Sequence, residues 1–122
     1  MIQTIHFKGQ LTPMNQINNS NRTHWSIGAK IKKVETQAIA LQCSKLKPIT
    51  KPVGLTFYWH YSSKHDYDNI RSCAKVVLDG IVASGKLPDD SQKWVVDFGG
   101  DHFDKVAKGQ EGVTVEIEEF IQ

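Results

Sequence analysis

Four aspartates carry the chemistry legible in this chain: Asp66 and Asp68, two residues apart, and the adjacent pair Asp89 and Asp90. Asp66 and Asp68 follow a predicted strand, and in extended backbone a spacing of two places both carboxylates on one side. Gathered carboxylates repel one another and raise each other's pKa unless a divalent cation lies between them. All-oxygen donors favour Mg²⁺ or Mn²⁺ over zinc, and such an ion activates water and neutralises charge on a scissile phosphate. Lys75 and Asp79, four apart on the following helix, share a face near these acids. On helix geometry alone that pair reads best as a surface ion pair of about 0.3–0.5 kcal/mol. Helix capping and turn formation account for the aspartates equally well without a metal.

The elements that must position these residues follow from periodicity. Residues 1–8 alternate as a strand, with Met1, Gln3, Ile5 and Phe7 on one side. Thr12 to Ser26, Asn-rich and holding Pro13, reads as a long loop that offers Arg22, His24 and Trp25 for phosphate and base contacts, or as a plain surface connection. From about Gly28 to Leu46, Ile31, Val34, Ala38, Leu41 and Cys43 fall near helical spacing, and Pro48 stops the helix. Its Lys30, Lys32 and Lys33 suit a phosphate backbone, or simply a solvated face.

Val53 to Tyr61, β-branched and aromatic, is the clearest strand. Ile70, Ala74, Val77, Leu78 and Ile81 make one stripe of a helix over 70–84, with Asp68 or Asn69 as N-cap and Gly85 as its stop. A turn at Leu87 to Ser91 and strands at Lys93 to Phe98 and Val113 to Glu119 complete the order β-α-β-α-β-β. This order predicts a single α+β domain over residues 1–122, with a mixed sheet and two main helices. A helix of about 15 residues spans only about 22 Å, so Asp89 and Asp90 follow in a neighbouring loop, though spacing alone does not set that loop beside Asp66.

The 122 residues suffice for one core without disulfide or metal staples. Two cysteines, Cys43 and Cys73, make no disulfide framework and no zinc spacing, which fits a reducing cytosol and small core side chains. No stretch approaches the roughly 20 apolar residues of a membrane span, and the amino terminus lacks a secretory h-region, so a soluble cytoplasmic protein with no membrane partner is expected. The net charge of +2 hides a division at Lys64. Residues 1–64 hold nine Lys and Arg against one acid, Glu35, whereas residues 65–122 hold six against twelve Asp and Glu. A basic part suits a polyanion and an acidic part suits a hard cation; chance segregation of surface charge gives the same division.

Asp66-Tyr67-Asp68 opens like a calcium-binding EF-hand loop, but Ile70, Arg71 and Val77 occupy the fifth, sixth and twelfth positions, where that loop needs an acid or Asn, a Gly and a Glu. The string His65-Asp-Tyr-Asp-Asn-Ile, then Lys75-Val-Val-Leu-Asp-Gly-Ile, then Gly85-Lys-Leu-Pro-Asp-Asp-Ser-Gln92 instead resembles the signature of the RusA family of Holliday-junction resolvases. Pro13-Met-Asn15 and Arg22-Thr-His-Trp-Ser26 are similar to that family's opening loop.

The resemblance implies a RusA-like fold with Asp66, Asp68 and Asp90 as metal-binding carboxylates and Lys75 as the essential lysine, although Lys75 stands three positions farther from Asn69 than in shorter family members. It also implies Mg²⁺, with Mn²⁺ as a substitute, a homodimer with two sites for paired nicks, and branched DNA, above all a four-way junction, as partner. Asn15, Arg22, His24, Lys30, Lys32, Lys33, Lys64 and His65 would then contact DNA. Two other readings stay open: a binder of branched DNA that lacks nuclease activity, and a calcium- or phosphate-binding protein unrelated to DNA.

Overall fold

The computed structural model describes residues 2–13, 16, 25–63 and 66–120. Strand β1 (Ile2–Lys8) leads to helix α1 (Trp25–Leu41), strand β2 (Val53–Tyr61), the short helix α2 (Tyr67–Arg71), helix α3 (Ala74–Ala83), and strands β3 (Val95–Lys105) and β4 (Gly112–Glu119). The four strands form one mixed sheet in the order β1-β4-β2-β3, in which β3 runs parallel to β2 and the other pairs are antiparallel. The parallel pair requires a crossover, which α2 and α3 supply.

Alternation on β2 sets the layers. Val53, Leu55, Phe57, Trp59 and Tyr61 are buried while Gly54, Thr56, Tyr58 and His60 are only half-buried. Register places Leu55, Phe57 and Trp59 opposite Ile117, Val115 and Val113, so one face of the sheet is a continuous apolar layer. Val77 and Ile81 of α3 and Ile39 of α1 belong to the same buried cluster. Cys43 and Cys73 are buried and unpaired, as small core residues.

The two long helices touch at a glycine. A Cβ on Gly80 would sit 2.4 Å from Ile39 Cγ2 and 3.0 Å from the Thr36 carbonyl oxygen, so the missing side chain lets α1 and α3 meet. This contact also orients α1 against expectation. Of the stripe Ile31, Val34, Ala38, Leu41 and Cys43, expected to face the core, Val34 is 64% and Leu41 82% exposed; only Cys43, beyond the helix end, is buried, and the buried side of α1 runs through Gly28 and Ile39. Close approach at a small residue outweighs the burial of a few aliphatic groups. The helix also begins at Trp25, inside the expected loop, and ends at Leu41 rather than Leu46.

The single helix expected over 70–84 is two. Asn69 and Ile70 carbonyls are taken by the Ser72 hydroxyl and the Cys73 amide, a tighter turn that separates α2 from α3. Strand β3 runs seven residues beyond Phe98, where the expected strand ended, to Lys105, with a bulge at the glycine pair. Leu55 pairs with Phe98 but Thr56 pairs with Gly100, leaving Gly99 as the extra residue. A side chain there would strike Thr56 Oγ1 at 2.5 Å, and Gly100 takes φ +144°, which suits glycine.

Candidate functional site

Lys75 stands in the first turn of α3 and reaches the turn beyond that helix. Its Nζ lies 2.7 Å from Asp90 Oδ2 and 3.0 Å from Asp79 Oδ1. The first of these contacts joins two segments that the sequence marked separately. The hydrogen bond from Lys75 holds the Asp90 carboxyl below its ordinary value, and the same bond to Asp90, then that to Asp79, holds the Lys75 ammonium above its own. Both groups are therefore charged at neutral pH. The Asp90 amide donates to Asp89 Oδ1 at 2.8 Å, which fixes the turn that presents Asp90.

Asp66 and Asp68 sit at the start of α2 and do not point together, contrary to expectation. Asp66 is the extended N-cap residue, at φ −68° and ψ 144°, and makes no side-chain capping bond. Asp68 already lies in the first helical turn, where residues two apart face away from each other. The N-cap is thus Asp66, not Asp68 or Asn69. Asp66 lines a cleft of about 430 Å³ with Tyr67, Phe103, Asp104 and Lys105, in which the Tyr67 and Phe103 rings stack at 4.2 Å. Asp68 lines a second cleft, of about 350 Å³, with Arg71, Phe98 and Asp101. Among the described residues, no three His, Cys, Asp or Glu side chains are gathered closely enough to hold a metal ion.

The remaining expected contacts divide. Lys30, Lys32 and Lys33 are exposed on α1, open to a polyanion. Asn15, Arg22, His24, Lys64 and His65 lie outside the described residues.

Arg71, Asp101 and Trp59 form a constellation that the sequence did not reveal. The buried Trp59 indole N–H donates to Asp101 Oδ1 at 2.8 Å, and Arg71 Nε pairs with Asp101 Oδ2 at 2.8 Å. Asp101 faces this cleft only because the Gly99 bulge shifts the phase of β3, which puts Phe98 and Asp101, three apart, on the same face. The pair Gly99-Gly100 inside an alternating run was the available signal. No family model matches the chain, and no curated protein matches it.

Proposed function

We propose that this chain is a metal-dependent endodeoxyribonuclease of the RusA type, which resolves Holliday junctions or related branched DNA by paired phosphodiester hydrolysis. One observation carries the reading: Lys75, the lysine of one motif, touches Asp90, the acid of another, at 2.7 Å. Asp66, Asp68 and Asp90 carry oxygen donors of the kind Mg²⁺ or Mn²⁺ takes, but the structure does not gather them, so to hold such an ion they would have to converge. Held by those carboxylates, a divalent ion would supply water activation and charge neutralisation at the phosphate.

The chain's own groups fit that chemistry. Asp90 is ionised by Lys75, and the Asp66 carboxylate is not consumed in capping. Lys75, whose pKa is raised by hydrogen bonds to Asp90 and Asp79, offers positive charge to a phosphate. The reading carries with it a homodimer, because paired nicks need two sites, and a cytoplasmic setting, which suits two unpaired buried thiols.

The separation of Asp66 and Asp68 into different clefts favours a second reading, a branched-DNA binder of this fold without nuclease activity. Incubating a synthetic four-way junction with the protein across Mg²⁺ and Mn²⁺ titrations decides between them. Under the first reading the wild type nicks the junction in pairs, and Asp68→Asn stops cleavage while keeping binding. Binding without nicking at any metal concentration selects the second, and failure to prefer a junction over linear duplex removes both.

A further inference from the structure

The cleft between α2 and β3 combines two features that single-stranded nucleic acid requires together: a held cation and an exposed aromatic ring. Arg71 is the cation. Its side chain is 61% exposed yet anchored at Nε by Asp101, whose own side chain is only 16% exposed. Asp101 is itself fixed from below by the indole of Trp59, which is 1% exposed. A guanidinium held in this way through Nε keeps both Nη groups for a planar, doubly bonded grip on a phosphate. Among the described residues Arg71 has no other acidic partner.

Phe98 supplies the ring. It is 54% exposed, stacks behind on the buried Phe57 at 6.2 Å between centroids, and lines the same cleft as Arg71. Backed by a buried neighbour and set at the sheet edge on β3, it presents a ring face that has no core to join. The cleft, about 350 Å³, is large enough for one nucleotide unit. Asp68 and Asp101 in its walls repel a phosphate, so the phosphate contact falls to the exposed end of Arg71.

We propose that this cleft is a binding subsite for one nucleotide of an unpaired DNA strand, with its backbone phosphate on Arg71 and its base or sugar against Phe98, and with Asp101 as the residue that positions Arg71. The inference rests on the nuclease reading only in taking DNA as the ligand. Asp68 lines the cleft, so the strand gripped here would run past one of the carboxylates assigned to the metal.

The test is equilibrium binding of a fluorescent oligo-dT strand in metal-free buffer, between about 50 and 200 mM KCl. Arg71→Ala is expected to make the slope of log K against log salt less steep by about 0.7, the share of one single-strand phosphate. Phe98→Ala is expected to weaken binding about tenfold with the slope unchanged, since stacking carries no counterion. Arg71→Lys should regain the slope but not the full affinity, because an ammonium has no fork to share between Asp101 and a phosphate. Wild-type slope in Arg71→Ala, or wild-type affinity in Phe98→Ala or Arg71→Lys, overturns the subsite. Junction cleavage by wild type together with unaltered binding by these variants sinks the subsite alone; the expected binding losses without any cleavage sink the nuclease reading alone.

Discussion

Replacing Gly80 by alanine sets two opposing terms against each other at a close contact between α1 and α3. In an exposed helix the change would stabilise by about 1 kcal/mol through propensity. Here the added carbon falls 2.4 Å from Ile39 Cγ2 and 2.5 Å from Ile39 Cβ, with the Thr36 carbonyl oxygen at 3.0 Å. Ile39 cannot swing away easily, since a β-branched side chain in a helix has one strongly preferred rotamer, and the carbonyl belongs to backbone. The helices must part, which also loosens packing around the 2%-exposed Ile39. Overpacking of this kind costs about 1–3 kcal/mol or more, and the severity of the overlap puts Gly80 at the upper end. The net loss is then about 2 kcal/mol, or a melting temperature lower by about 5–10 °C for a domain of this size. Thermal denaturation followed by circular dichroism reads it directly. Ile39→Ala, which alone costs about 2–5 kcal/mol, should cost less in the Gly80→Ala background, because the new methyl occupies the vacated space. A Gly80→Ala protein that melts at or above wild type, or strict additivity in the double variant, refutes the close helix contact.

Two further predictions follow from polar contacts. Glu35, the one acid in residues 1–64, accepts from both the amide and the hydroxyl of Thr12, at 2.7 and 2.6 Å, and so ties the chain after β1 to α1. Glu35→Ala should lower unfolding free energy in urea by about 2–4 kcal/mol, the worth of two charge-assisted bonds in a partly buried setting; a change under about 1 kcal/mol would show that the tether carries no weight. Asp90 has its folded pKa depressed from 3.8 by the Lys75 hydrogen bond, so its contribution is present above that value and disappears as pH falls through the lower folded one. Asp90→Asn should therefore lower stability at neutral pH by up to about 1 kcal/mol, the worth of a surface pair, and flatten the loss below about pH 4 by the same amount. An identical acid limb in the two proteins counts against the contact.

What could be read in advance depended on whether a residue's surroundings were local. Strand β2 was legible at its observed bounds because each of its faces has a single character, and β4 differed only by Gly112. Helix α1 was legible as a helix but not as an oriented one. Its apolar stripe through Val34 and Leu41 is as regular as a buried face, and only the distant Gly80, which belongs to another element, decides which side packs. The break between α2 and α3 depends on side-chain and backbone bonds at Asn69 to Cys73 that propensity does not encode. In the candidate site, the contact of Lys75 with Asp90 depends on how the chain turns back after α3, which spacing does not fix, whereas the divergence of Asp66 and Asp68 follows from helix beginning one residue after Asp66. Asp101 stayed hidden because its orientation depends on a bulge two residues earlier, and a glycine pair reads first as the end of a strand.

That bulge gives the far half of β3 a parity that can be inverted by one residue. Were Gly99 and Gly100 to run as regular strand without the bulge, period-two alternation from Phe98 would carry Asp101 and Phe103 across to the other side of the sheet and bring His102 and Asp104 into their place. The indole of Trp59 would be left in the core without an acceptor, Arg71 would have no acid to lean on, and Tyr67 would lose the ring it lies against. A single inserted glycine thus acts as a phase marker for both clefts at once, and flattening the bulge with both glycines kept would exchange the faces of a strand whose hydrogen-bonded neighbour need not move at all.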